Sequence, residues 1–303
     1  MDEPKYTDRN LYGQTGHPMP WDVAQLKLGD CYLLAPMASL AFQQPEAIER
    51  SIRYDAPTES FAVTLYKSQK AFLGLTSTPK AVNVTVSQAD IDQEIKESSA
   101  SRFDRGTGSI EATWPAVVET AYAKLSMKDG ETLLDGFRHI GNGGWPRDAV
   151  YALTGEKAES VSDHSLRRGT LDQAHGRIET ALKESRPIIL TTRAVPGQPN
   201  DGLVTSDNGA GHAYTIESVT KDKSGNVTIK ARNPWGTTWT LSMASPAKAL
   251  RSKSTLRPFL RIIIFSRSIL VRSKSGPTVS KMLRRIDAPR TNGEPRSIRE
   301  IRT

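Results

Sequence analysis

The chain has 303 residues, 37% of them hydrophobic, one cysteine and a formal net charge of +8. That length suits one large domain or two smaller ones, and a single cysteine excludes an intramolecular disulfide framework and points to a reducing compartment. The charge is uneven: residues 246–303 hold 15 Lys+Arg against 3 Asp+Glu, while residues 1–245 hold 26 against 30, so a basic tail follows a mildly acidic body.

The N-terminal MDEPKYTDRN lacks the basic-then-apolar layout of a secretory signal. No apolar run nears the ~20 residues of a spanning helix, and the longest, Leu260–Phe265, is interrupted by Arg261. The expectation is a cytoplasmic protein, with delivery by a signal-independent secretion route compatible with the same features.

Residues 1–24 are polar, aromatic and rich in Pro and Gly, which predicts an extended, irregular segment. The stretch QLKLGDCYLLAPMASL, Gln25–Leu40, contains Cys31. Gly29 and Asp30 read as a turn and a helix N-cap, and Leu33, Met37, Leu40 and Ala41 mark an apolar helical stripe running to about Gln44. Cys31 falls in the first turn, where the helix dipole favours thiolate. By default a lone cysteine is a small buried hydrophobe. Pro36 removes a ladder bond and costs about 3 kcal/mol or more, which predicts a kink or a short distorted turn.

Phe61, Val63 and Leu65, then Val82, Val84 and Val86, alternate with polar residues and predict a half-buried hairpin. Residues 89–110 read as a short helix or a loop. Trp114, Val117, Val118, Ala121 and Leu125 predict an amphipathic helix, capped by Thr113 and packed on the Cys31 helix. Gly141–Thr154 is a glycine-rich turn leading into a helix, without the G-x-G-x-x-G or Lys-Ser/Thr features of a nucleotide site. Residues 155–170 read as a linker. A helix over Leu171–Glu184 precedes strands at Ile188–Thr192, His212–Val219, Val227–Arg232 and Thr238–Ser242, with a hairpin turn in Lys221–Asn226. A mostly helical half followed by a mostly β half is an α+β pattern with a cleft between them.

Cysteine catalysis needs a base and a group that orients it. Of the five histidines, His17 and His164 lie in polar segments, His175 lies on a polar helix surface and His139 precedes the glycine turn. His212 follows Gly209-Ala210-Gly211 at a strand entrance. A hairpin centred near Lys223 brings it beside Asn233, whose amide oxygen can fix the tautomer while the other ring nitrogen faces Cys31. Pro234 ends pairing there, and Trp235 covers the Asn–His bond. A satisfied edge-strand histidine and an ordinary Asn-Pro turn are the plain alternatives.

Gln25-xxx-Gly29-Asp30-Cys31, Gly211-His212-Ala213-Tyr214 and Arg232-Asn233-Pro234-Trp235-Gly236, supported by WPAVVETAYAKL and GGWPRDAVYALTGE, resemble the calpain family of papain-like cysteine proteases over residues 20 to 242. The resemblance implies a papain-like core: subdomain I over 1–157, with helices and a small sheet, an antiparallel β subdomain II over 158–245, and a basic tail over 246–303 as a divergent or truncated end of subdomain II. It implies a calcium-dependent-type cysteine endopeptidase acting on protein substrates through an acyl-enzyme. Cys31 would be nucleophile, His212 general base and acid, Asn233 the orienting residue, Gln25 and the Cys31 N–H the oxyanion hole, and Trp235 the shield. No cofactor is required by the sequence and no EF-hand loop is present; calcium enters by resemblance alone. Tyr32 and Pro36 stand where the family usually has Trp and Ala, and the resemblance fades near Met243. The alternative function is a catalytically inactive calpain-like binding module; a transglutaminase-like enzyme is disfavoured by Asn233. The tail reads as a solvated extension, as a nucleic-acid or anionic-membrane surface short of aromatics, with Phe259 and Phe265 only, or as a divergent strand around Leu260–Phe265 that completes the β subdomain.

Overall fold

The computed structural model describes residues 4–70, 77–98, 100–101, 112–161, 171–193, 211–236, 238–243 and 259–265. These lie in one compact unit, Met1–Ile269; a second unit, Leu270–Thr303, falls outside the described residues. Also outside them are Gly209, Ala210, His164 and all of the basic tail except 259–265, so the nucleic-acid and membrane readings of that tail fall there too.

Helix α1 (Cys31–Gln43) is buried almost all round, from Tyr32 through Ala41, so it is a core helix and not the one-sided amphipathic helix that its spacing suggests. It runs on through Pro36 to Gln43 without interruption. Helix α2 (Pro45–Ser51) begins on a proline at N1, where the missing N–H costs nothing. Strands β1 (Ile52–Asp55), β2 (Ser60–Lys70) and β3 (Ser77–Val86) form an antiparallel sheet in that order. Register sets Phe61 against Val86, Val63 against Val84 and Leu65 against Val82, so the apolar set of both strands shares one face.

Helix α3 (Gln88–Glu97) starts on a capping box between Ser87 and Asp90, which settles residues 88–97 as helix. Helix α4 (Trp114–Ser126) has Thr113 at its N-cap without a side-chain cap bond; the Thr113 hydroxyl donates instead to the Asn10 carbonyl, 3.2 Å away. The α4 stripe residues Trp114, Val117, Val118 and Ala121 share one apolar core with α1, and α4 also packs on α3, on β2 and β3, and on helix α5 (Leu133–Gly141). Its link to α1 runs through side chains, with the Tyr32 and Tyr122 rings edge-on at 6.3 Å. Helix α6 (Pro146–Thr154) follows the glycine turn. At Gly144 a Cβ would come within 2.5 Å of the Tyr32 ring, so glycine here is what lets the turn close over the residue after Cys31.

Within the segment read as a linker, Ala158–Val161 forms strand β4. With helix α7 (Leu171–Lys183) and strands β5 (Ile188–Arg193), β6 (Ala213–Lys221), β7 (Val227–Arg232), β8 (Thr238–Met243) and β9 (Phe259–Phe265), it builds a second antiparallel sheet in the order β4-β9-β5-β6-β7-β8. Strand β9, from the 246–303 segment, thus lies between β4 and β5. On one face of this sheet Ile188, Leu190, Tyr214, Ile216, Ile229 and Ile264 join Ile178 and Ala181 of α7 in a separate apolar cluster. On the other, Ile189 and Ala213 belong to the core that includes α1.

Polar side chains tie α1 to this second sheet. The Thr215 hydroxyl donates to the Ala35 carbonyl at 2.8 Å. Ser39 donates to the Ile188 carbonyl at 3.2 Å and accepts from its N–H at 2.9 Å, while Gln44 donates to the Ser185 carbonyl at 2.7 Å. Each satisfies a backbone group that the interior would otherwise leave without water.

Candidate active site

Cys31 is the first residue of α1, keeps partial exposure and carries a free thiol. Its sulfur meets β6 at the backbone amide of Ala213, the residue after His212. That N–H, with those of Tyr32 and Cys31 itself, favours the charged sulfur, but burial outweighs them and pushes the thiol up to about 11, with the Asp30 carboxyl adding to the rise. The N–H groups at the helix mouth favour the thiolate, while desolvation of the anion acts against it. Asp30 holds the N-cap position, yet its side chain makes no cap bond.

His212 is held by its backbone. Its N–H donates to the Thr192 hydroxyl at 3.1 Å, and its carbonyl accepts from the Thr192 N–H at 2.9 Å. The ring lies edge-on to Tyr214 at 4.9 Å and under Trp235 at 4.8 Å, with Trp235 itself 45% exposed. Ring atom Nε2 is 2.9 Å from Asn233 Oδ1, both residues being buried. The same Oδ1 accepts from the Trp235 N–H at 3.0 Å, an Asx-turn. A backbone N–H only donates, so this contact fixes which end of the Asn233 amide faces the histidine. His212 Nε2 must then carry the proton, leaving Nδ1 as the basic nitrogen. Asn233 Nδ2 is buried with no partner. Burial lowers the His212 pKa and the Asn233 bond partly offsets it.

What brings Asn233 to His212 is a β-bulge. From the turn at Asp222–Asn226, the ladder runs Val219↔Ile229 and Ser218↔Lys230, then resumes at Ile216↔Ala231 and Thr215↔Arg232, with Glu217 the extra residue. Continued by one pair, Asn233 stands across from Tyr214, on the face that His212 shares by the two-residue period. A regular ladder drawn from the same turn would set Asn233 across from Thr215, on the opposite face. The one signal of it in the sequence is the pair of consecutive polar residues, Glu217 and Ser218, between Ile216 and Val219. Glu217 braces it, accepting from Arg232 Nε at 2.8 Å and pairing with Lys230 Nζ at 3.2 Å. Past Arg232 the chain turns sharply, with the Gly236 N–H bonded to the Asn233 carbonyl at 2.9 Å and Gly236 in the left-handed region at φ 86°.

Gln25 reaches the same place from the other side. Its N–H donates to the Pro234 carbonyl at 2.8 Å, and its side-chain Nε2 to the Leu28 carbonyl at 2.6 Å. One Nε2 hydrogen remains beyond that bond, while Oε1 is buried without a partner. The Gln25 loop is thus tied to the Asn233-Pro234 turn, His212 is paired to Asn233, and Cys31 abuts the amide next to His212. His17 and His139 lie apart from this cluster, paired with Glu49 and Glu131. Among the described residues no group of three or more His, Cys, Asp or Glu is arranged to hold a metal ion, so these residues offer calcium no such cage.

The site thus sets a thiol at a helix mouth and an amide-paired imidazole beside a strand of the second sheet, in a mixed α+β chain. The family model for calpain family cysteine proteases matches residues 8–248, and the chain belongs to that family. It is 24% identical over 226 residues to a thiol protease of Porphyromonas gingivalis, covering 72% of this chain and 44% of that protein. It is 26% identical over 223 residues to the calpain-type cysteine protease DEK1 of Arabidopsis thaliana, covering 73% of this chain and 9% of the relative. Calpain clp-1 of Caenorhabditis elegans is 27% identical over 222 residues, covering 71% and 25%. The chain therefore spans less than half the length of each of these relatives.

Proposed function

We propose that the chain is a cysteine endopeptidase of papain-like architecture, with a cleft between a first subdomain ending near residue 157 and the β-rich second, acting on protein substrates as its relatives' names suggest. The carrying observation is the His212–Asn233 bond with its amide orientation fixed by the Trp235 N–H, on the strand whose next amide touches Cys31. Cys31 Sγ attacks the peptide carbonyl carbon as His212 Nδ1 takes the thiol proton, forming the C–S bond. Nε2–H stays donated to Asn233 Oδ1 and holds the imidazolium in register. The second Gln25 Nε2 hydrogen and the Cys31 N–H receive the oxyanion, a donor of this kind contributing about 2.7–4 kcal/mol to the barrier. His212 returns the proton to the leaving amine as the C–N bond breaks. It then deprotonates the water that cleaves the thioester and restores the thiol. Trp235 covers the His–Asn pair. No step is routed through calcium, and any calcium dependence rests on the family relationship.

An epoxide thiol trap followed by mass spectrometry, with casein digestion in parallel and calcium titrated in both, tests the proposal. Expected is labelling at Cys31, loss of most labelling in His212→Ala, and casein cleavage that Cys31→Ser abolishes. Folded wild-type protein that neither labels nor cleaves at any calcium concentration would establish the inactive binding module instead. That second reading is favoured by the raised thiol and by the bond that occupies part of the Gln25 amide.

A further inference from the structure

Beginning at the residue before Cys31, three buried carboxyls from separate elements interact with one another. Asp30 precedes the nucleophile and is 0% exposed; the N–H groups of Leu33 and Leu34 bond its carbonyl oxygen and leave its side chain to the interior. Glu119 of α4 and Glu94 of α3 are also 0% exposed. Glu119 Oε1 accepts from the Ser98 hydroxyl, and Glu94 Oε1 accepts from the Ala100 N–H at 2.6 Å. Both Asp30 oxygens and Glu119 Oε2 are buried with no well-directed donor, and the Glu119 carboxyl lies at hydrogen-bonding range of both the Glu94 and the Asp30 carboxyls. The titratable groups that act on this pair are Glu94 from α3 and, along α1, Cys31 and Tyr32, none of them a cation.

We propose that Asp30 and Glu119 hold one proton between them, and that this proton keeps a negative charge away from the Cys31 thiol. Ionised carboxylates only accept hydrogen bonds, so two of them in contact, buried and without a cation, need a proton to be satisfied. Like charge and burial act in the same sense here, raising Asp30 to about 7 and Glu119 well above its usual range. The pair titrates as a unit. Once the proton leaves, the Asp30 charge opposes thiolate formation one residue away. Asp30 and Glu119 are positioning residues for the thiol, and the inference rests on Cys31 being the nucleophile.

The test is the rate of Cys31 alkylation by iodoacetamide in the full chain, followed from about pH 5 to 9, for wild type, Asp30→Asn and Glu119→Gln, with circular dichroism confirming the fold. Wild type should show a log-rate slope that becomes shallower near neutrality. Asp30→Asn should lose the break and react about three- to tenfold faster above it, a change of half to one unit in thiol pKa. Glu119→Gln gives Asp30 an amide donor and frees its charge at lower pH, so alkylation should slow below neutrality. Opposite shifts are the signature; superimposable profiles, or two variants moving the same way, overturn the proposal. Should either variant fail to fold, infrared spectra of wild type with 13C-labelled carboxyls decide: a protonated-carboxyl band at about pH 6 that fades by about pH 9 supports the shared proton, and its absence at pH 6 overturns it. A folded wild type that resists alkylation at every pH would sink the nucleophile role of Cys31, while the infrared band would still report on the carboxyl pair.

Discussion

Asn233 Oδ1 serves two donors at once, the His212 ring and the Trp235 backbone, and this double duty makes position 233 more sensitive than an ordinary surface amide. Asn233→Ala leaves a buried imidazole N–H and a backbone N–H without acceptors, and kcat should fall by about 10- to 100-fold, part of the 10²–10⁴ that acid–base catalysis supplies. Asn233→Asp keeps both acceptors and removes the orphaned Nδ2, but its charge favours imidazolium. It should retain most of kcat while moving the acid limb of kcat/KM to higher pH. Peptide-substrate pH profiles of both variants check this. In wild type that limb should inflect below 6.5, because burial lowers the His212 pKa from there. The same sign governs stability: a depressed folded pKa contributes stability that is whole above about 6.5 and lost as pH falls through the folded value.

At the scale of elements, the β6–β7 hairpin depends on an ion pair inside its bulge. Glu217 and Arg232 are largely buried, and Arg232 directly precedes Asn233. Glu217→Ala strands the guanidinium beside the site. It should lower unfolding free energy by about 1–3 kcal/mol, less than a fully buried broken pair costs, with Glu217→Gln losing less, as read from denaturant midpoints. The strands of this hairpin were legible because Val227–Ala231 alternates cleanly and Ala213–Ile216 holds the same period up to Glu217. The bulge was not: the consecutive polar residues Glu217 and Ser218 break the period, but only the pairing partner reveals that two residues face one. Helix α1 illustrates the converse. Spacing at Leu33, Met37 and Leu40 declared a helix, yet could not show that its remaining faces would be buried between the second sheet and α6.

Across the whole molecule, β9 joins parts of the sheet that lie far apart in sequence, since it pairs with β4 on one side and with β5 on the other. A chain ending at residue 245 would expose both partners' edges and a gap in the sheet. It should lose cooperative unfolding, whereas one ending at residue 269 should unfold like the full chain; thermal melts of the two truncations decide. A strand around Leu260–Phe265 is one reading of the basic run RSKSTLRPFLRIIIFSRSILVRSKS; its place in the sheet was not legible, because its partners stand some hundred and some seventy residues earlier.

Local chemistry needed only the sequence. The lone thiol before an apolar helix, the glycine-flanked histidine, the Asn-Pro-Trp-Gly turn and the hairpin joining the last two are short-range patterns, each specified by neighbouring residues and their period. Tertiary structure decided which face Asn233 presents, where Glu217 interrupts the ladder, that β9 fills the sheet, and that Asp30 lies against Glu119. It also set the burial that pushes the thiol pKa up, because the free energy of an ion depends on how much water the rest of the fold removes from it, and no stretch of neighbouring residues records that quantity.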